Sequence, residues 1–364
     1  MKLHRLTLYA AAASLAFAPA HLNSQTVATD PVGFVTVTIT PGSGTARKPT
    51  LMSIPLLDTT WTNSGLSSGT ITSVTSNSIV VSNAGWTAGA LSQPAAPFVV
   101  QITSGPAAGR FFLVASSATT GGASGGAAQA NTATNLFISS IDLTPITNHL
   151  ANAGVSAGNT FKIYACDTLS SFGSPASTGI RGGTNAASAD NVVVTVNGTP
   201  TTYFYSTTVS NWVRTPNINS ANVALTPNIG IMYNRLATNN LSFVSTGQVP
   251  VTNRIAPIKN SGVTILSQYW PVNSTLNSLG LQSIPGWVGG TNQASTDNVT
   301  VIVNGTPTTY YYHVSPTATN WRRFPLPTSQ DTVNIPVGAA VQINKKGSAP
   351  GYSSLSQGVP YTLN

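Results

Sequence analysis

Residues 182–205, GGTNAASADNVVVTVNGTPTTYFY, return 107 positions later at 289–312 as GGTNQASTDNVTVIVNGTPTTYYY. Five of the 24 aligned positions differ: Ala186/Gln293, Ala189/Thr296, Val193/Thr300, Thr195/Ile302 and Phe204/Tyr311. An internal copy this close constrains the fold before any other feature, because both copies must form the same supersecondary unit. The likeness continues at lower density through Trp212 and Trp321, Arg214 and Arg323, Pro216 and Pro325, Asn234-Arg235 and Asn344-Lys345, and Val249-Pro250 and Val359-Pro360. Two tandem β repeats are therefore expected over 166–252 and 269–364, with 253–268 as the junction between them.

The centre of each copy is a β-hairpin. Asn197-Gly198 and Asn304-Gly305 suit a type I′ turn, in which both central residues need positive φ. A two-residue turn places Val196 opposite Thr199 and Thr195 opposite Pro200, a pair that exchanges no hydrogen bonds and so tolerates proline. No third strand can then pair beside Pro200 or Pro307, and the tip should project beyond its sheet. Cross-strand partners share a face. One face carries Val192, Val194, Val196, Thr199, Thr201, Tyr203 and Tyr205, and all seven positions are identical in the second copy. Three of the five differences fall on the other face. The invariant face is expected to pack and the varying face to be wetter.

The remaining chain reads as further strands. GFVTVTI at 33–39 alternates, and LMSIPLL at 51–57 is a second run with Pro55 at an edge or end. Apolar runs at 98–103 and 110–115 flank SGPAAG, a hairpin loop. A start-and-stop element, Asp or Asn followed by Ser or Thr and closed by Gly, occurs at 58–66, 167–173 and 273–281. Residues 118–134, ATTGGASGGAAQANTAT, read as a flexible solvated loop. TPITNHLANAG at 144–154 has Thr as N-cap, Pro at the first position and Gly154 at the close, which predicts the one short helix. The fold class is all-β: antiparallel, hairpin-rich sandwich or barrel-like domains, with an N-terminal β domain at 27–165 ahead of the tandem repeat.

Residues 1–20 read as a signal peptide. Lys2 and Arg5 precede a 12-residue apolar core at 6–17, and Ala18 and Ala20 supply the small residues before cleavage at His21. Export to the extracellular space, cell surface or periplasm follows, and no transmembrane segment is read in the rest. Only 6% of residues are charged, and there is no Glu. A typical soluble domain has about 25%; here Thr, Ser, Asn, Gly and Ala fill the gap. Formal charge is +8, falling to +6 once Lys2 and Arg5 leave. The basic residues are scattered and form no stripe, so no nucleic-acid partner is expected.

Candidate chemistry is sparse. Asp190 and Asp297 precede the hairpin as S-A-D-N and S-T-D-N; an Asx turn explains them, and weak calcium binding is the sharper alternative. Aromatic platforms could stack on sugars, and the candidates are Trp212, Trp321, Phe204 and Tyr311. Exposure decides between platform and core. Cys166, the single cysteine, reads as a buried inert thiol. No HExxH, GxSxG or Ser-His-Asp pattern occurs, and seven dispersed Asp do not suggest a paired-carboxylate hydrolase. No catalytic residue and no cofactor is assigned.

A set of short segments in order resembles an uncharacterised family of exported proteins from bacteria of the Verrucomicrobia group. They are TDPVGFV at 29–35, SIPL at 53–56, ITSG at 102–105 with AGR at 108–110, AG at 157–158 before FKI at 161–163, and 187–191 with 203–212. The resemblance spans nearly all of the mature chain and implies export and β architecture, with no active site. This chain departs from it by the second tandem copy and by the Gly-rich insert. The expected function is that of a noncatalytic secreted or cell-surface structural or adhesive β-repeat protein. A carbohydrate-binding module is the alternative, and self-assembly or a cell-envelope glycan supplies the partner.

Overall fold

Alternation of apolar and polar residues runs through the chain, and strands dominate it: 42% of residues are in strands against 7% in helix. The computed structural model describes residues 31–362 except 117–128, Asn148, Asn197-Gly198 and Pro327. Residues 1–20, expected as a signal peptide, the bulk of the Gly-rich loop and the first hairpin's Asn-Gly pair lie outside the described residues. The strands pair antiparallel into open sheets, the largest of six and five strands, and no sheet closes into a barrel.

The six-stranded sheet holds the first hairpin, Asn191–Val196 with Thr199–Ser206. Its register pairs Val196 with Thr199 and Thr195 with Pro200. Strand Ile231–Arg235 flanks one side over residues 191–194 and Asn211–Arg214 flanks the other over 203–206. Beyond them, no third strand pairs with residues 195–196 or 199–202 among the described residues. In the five-stranded sheet, Asn298–Val303 and Thr306–Val314 repeat this register, with Ala340–Lys345 and Thr319–Arg322 as flanks. Asn304 and Gly305 have φ of 50° and 75°, as a type I′ turn needs. The invariant face is buried at its base, where Val192, Val194, Val299 and Val301 are core residues, and emerges toward the tip, where Val303 is 52% exposed. Thr215-Pro216 and Phe324-Pro325, at matching places after the hairpins, are both cis.

The first two strands belong to the first hairpin's core. β1 (Val32–Ile39) pairs with Leu241–Gln248, and β2 (Lys48–Met52) pairs with Ile231–Arg235 at the sheet edge. Val35, Val37, Ile39 and Met52 join Val192, Trp212 and Tyr233 in one apolar cluster. Residues 253–268 do the same in the second half. They are not a spacer but two strands, Arg254–Lys259 paired with Tyr352–Gln357, and Gly262–Ser267 paired with Ala340–Lys345. The sequence likeness here is short, Thr50-Leu51-Met52-Ser53 against Thr264-Ile265-Leu266-Ser267.

Between Leu57 and Cys166 the first half carries an inserted domain with its own core around Ile79, Val100, Phe112, Leu136 and Phe161. Exit and return are adjacent, since the Ala165 N–H donates to the Asp58 carbonyl at 3.1 Å. An insertion whose ends meet leaves the host sheet undisturbed. The expected 27–165 block is thus divided between a host strand pair and the insert. The expected helix at 144–154 also differs. An α-turn, Ser140–Leu143, starts earlier, and 3₁₀ turns Thr144–Ile146 and Leu150–Ala153 follow. His149 caps the last, its Nδ1 accepting from the Ala151 N–H, and Gly154 closes it at φ 84°.

The two halves meet reciprocally. Met52 bridges Ala339, and Ile229 bridges Leu266. The Ser53 N–H donates to the Gly338 carbonyl at 2.8 Å, while the Ser267 N–H approaches the Asn228 carbonyl at 3.4 Å. Each pair swaps matching positions of the two halves, the pattern of an isologous interface folded into one chain. Leu51, Ile265 and Ala340 form its apolar centre, with Ile302 packed against them. Residues Pro31–Asn364 hold together as one unit.

Candidate functional site

The two aspartates before the hairpins are anchors. Asp190 is buried and its Oδ2 lies 2.5 Å from the Arg235 guanidinium. The same oxygen accepts from the Tyr233 hydroxyl at 3.0 Å and the Arg181 N–H at 2.9 Å, while Oδ1 accepts from the Leu236 N–H at 2.7 Å. Asp297, also buried, reproduces this with lysine. Lys345 Nζ lies 3.0 Å from Oδ2, and the Val288 and Lys346 N–H groups donate at 2.8 and 2.6 Å. Both cations also donate to the carbonyl of a matching glycine, Arg235 to Gly179 and Lys345 to Gly286. Each carboxylate is saturated by donors and neutralised by a buried cation, as buried charge demands. That removes the calcium reading and replaces the local Asx turn with a tie between segments about 45 residues apart.

The four proposed sugar-stacking aromatics are also structural. Trp212 and Trp321 are 1% and 0% exposed, Phe204 2% and Tyr311 7%. Trp212 packs against Phe172 and Tyr205, and its Nε1 donates to the Gly173 carbonyl at 3.0 Å. Trp321 packs against Trp287 and Tyr312. Its Nε1 finds no acceptor among the described residues. Phe204 lies on the varying face, which strand parity predicted to be wetter. It is buried with Ala189 and Val213 because the 182–190 loop folds back along its strand. The Gly183 N–H donates to the Tyr205 carbonyl, and the Thr207 N–H donates to the Gly183 carbonyl, both at 3.0 Å. A Cβ on Gly183 would fall 2.3 Å from Ser188 Oγ, which explains why this glycine is kept in the packed loop. Ring faces covered in this way cannot stack on a sugar.

Of the proposed turn residues, Asn304 and Gly305 are placed by the structure as described, whereas Asn197 and Gly198 lie outside the described residues. The second tip is not free. A Cβ on Gly305 would come 3.0 Å from the Lys48 side chain and 3.1 Å from that of Thr40, so this turn seats on the start of β2 and the residue that follows β1.

The other ionisable groups gather into no shared metal-ligating cluster among the described residues. Burial pushes the Cys166 thiol up, with Asp167 adding to the effect. Burial also raises Asp142 to about 6, against an accepted N–H bond from Leu113 and the nearby Arg110, which both lower it. Arg254 is buried, and its guanidinium is held by Asn228, Ser267 and Gln357 and faces the Tyr269 ring at 5.2 Å. Burial lowers it to about 9. Among the described residues, no group of three or more His, Cys, Asp or Glu is close enough to share a metal ion, and no helix is long and apolar enough to cross a membrane.

Asp142 gives a pH test. Its folded carboxyl titrates near 6, above the ordinary 3.8. The folded state therefore holds this proton more tightly than the unfolded chain, and its contribution to stability is fully present below about pH 4 and lost as pH rises through 6. Asp142→Asn is expected to stabilise the protein at pH 7 by about 1–3 kcal/mol and to show no gain at pH 4. Urea denaturation at the two pH values measures both.

What sequence reading missed is a cleft between the halves. Two hollows of about 550 and 610 Å³ share Thr36 and Val337 in their walls. β1 forms one side, and the second half supplies the other through 336–338 and the Ile302–Asn304 stretch. No charged side chain lines either hollow. Val32, Phe34 and Val244, on β1 and its partner strand, are 76%, 74% and 62% exposed. The signal was present in the second half, where Pro257 interrupts the strand matching β1.

Compared with known proteins, the chain matches no family model and no curated protein.

Proposed function

We propose that this protein is a noncatalytic, exported structural or adhesive component of the cell surface or its surroundings. The observation that carries this reading is the use made of its chemistry-bearing residues. The paired aspartates and the two buried tryptophans that follow the hairpins are committed to holding β units together. Two cores joined by a reciprocal interface, with a third domain inserted, suit a rigid module of low charge. The resemblance to exported Verrucomicrobia-type proteins and the basic, apolar and small-residue order of residues 1–20 support export. A glycan-binding role has no observation in its favour once Trp212, Trp321, Phe204 and Tyr311 are buried.

The experiment is fractionation of the native culture followed by sizing. The protein is expected in the envelope or medium, lacking residues 1–20, as a component of a larger assembly. Recovery from the cytoplasm with residues 1–20 intact would overturn the export reading. A free monomer in the medium, bound to no envelope fraction, would overturn the structural one. Envelope glycans added to the purified protein are expected to leave the tryptophan emission unchanged.

A further inference from the structure

The outer edge of β1 is a strand with a backbone to offer and no partner among the described residues. In the β1 register, the Val249 N–H donates to the Pro31 carbonyl, which fixes the phase: Gly33, Val35, Val37 and Ile39 bond to Leu241–Gln248. Phe34, Thr36 and Thr38 therefore turn their N–H and C=O groups the other way, into the cleft. Thr40, next in that series, confirms the phase because its N–H donates to Thr50 Oγ1. A row of outward amide groups beside an apolar hollow is the surface to which an extended chain adds.

The matching edge in the second half shows what covers such a strand. There the Lys259 N–H donates to Thr264 Oγ1, so Lys259 stands where Thr40 does. Counting back, Pro257 matches Thr38 and Ile255 matches Thr36. Pro257 has no N–H to offer, the usual way an edge is blunted. Ile255 is covered: its N–H donates to the Gly109 carbonyl at 3.0 Å, and Arg110 forms a parallel bridge with it. The occupant is a backbone segment of the inserted domain, and a Cβ on Gly109 would fall 2.0 Å from the Asn253 carbonyl oxygen. Beneath it lies the 227–228 turn, from which the Pro227 carbonyl accepts the Ser267 hydroxyl. The floor under β1 is the matching 337–338 turn of the second half. One edge is thus proline-blunted and occupied, while its counterpart carries two threonines and has no strand partner among the described residues.

We propose that the β1 edge is a strand-addition site whose occupant is an extended, uncharged segment of another polypeptide. Charge selects the occupant. Among the described residues no charged side chain lines the cleft, so a Lys, Arg, Asp or Glu entering it would lose water with no counter-ion there. Backbone bonds to Phe34, Thr36 and Thr38 hold the segment, and alternate apolar side chains fill the hollows beside Leu56, Val272 and Ile302. This reading is independent of where the protein is located, and its test does not involve export.

The probe is a blocked peptide, LSFVSTGQ, copying Leu241–Gln248, the uncharged sequence that already pairs with the other edge of β1. Amide hydrogen exchange is read on the full mature chain. In the free protein the Thr36 and Thr38 amides are expected to exchange fast, and those of Val35 and Val37 slowly. Millimolar peptide is expected to slow Thr36 and Thr38 by at least about tenfold. Thr38→Pro, which installs what the second half carries at Pro257, is expected to fold and to lose that binding. Absence of slowing at Thr36 with millimolar peptide in the wild-type protein would overturn the proposal. So would equal binding by Thr38→Pro. Protection of Thr36 and Thr38 that rises with protein concentration alone, with a doubled mass, would also overturn it by assigning the edge to self-pairing.

Discussion

Asp190→Ala is expected to destabilise the protein by about 3–5 kcal/mol, because it strands a guanidinium in the core. Arg235 is 0% exposed, and its remaining partners are the carbonyls of Gly179 and Asn239 and the Asn239 side chain. The Arg181, Leu236 and Ala237 N–H groups lose their acceptor in the same step. Asp297→Ala tests the matching pair in the second half and should cost less. Lys345 keeps the Gly286 carbonyl as a partner and leaves a single ammonium donor point where Arg235 leaves a whole guanidinium fork. Chemical denaturation of the two variants should rank them in that order. Equal losses would show that the orphaned backbone donors, common to both sites, outweigh the cation. In the double variant Asp190→Ala, Arg235→Met, much of the first loss should return, since a buried pair replaced whole by apolar groups is often neutral.

Trp212→Ala and Trp321→Ala are each expected to cost about 3–5 kcal/mol, the usual range for removing a large ring from a packed core. Each tryptophan sits in a separate apolar cluster, Trp212 with Phe172 and Leu169, Trp321 with Leu276 and Val299. Replacement by Phe separates packing from polarity. Trp212→Phe removes the Nε1 bond to the Gly173 carbonyl and should lose about 1–2 kcal/mol more than Trp321→Phe, whose Nε1 is unbonded. A surface tryptophan that served a ligand would tolerate alanine within about 0.5 kcal/mol. A loss that small at either position would therefore return it to the list of binding candidates.

These two pairs mark where sequence reading stopped. The Asn304-Gly305 turn and the packed base of the Val/Tyr face follow from residues within a dozen positions of one another, and the structure places them as read; the second tip, expected to project, lies against Lys48 and Thr40. Asp190 and Asp297 looked like turn residues because their partners, Arg235 and Lys345, are remote in the chain. Strand parity correctly put Phe204 and Tyr311 opposite the Val/Tyr face. It had no means of showing that the 182–190 loop returns to cover Phe204. The 144–154 segment has sound caps, yet the turns between them tighten to 3₁₀, leaving Gly154 the part that held.

The sequence alone determined the β class, the duplicated hairpin and its turn, and the scarcity of chemistry, because alternation, Asn-Gly and composition act locally. Only the tertiary structure decided that residues 253–268 begin the second half as β1 and β2 begin the first, and that 58–165 is an insertion between them. It alone showed that the halves meet reciprocally and that one edge is covered while its counterpart has no partner among the described residues. Pairing and burial at those places depend on segments far apart in the chain, and a covering segment leaves no mark in the residues it covers.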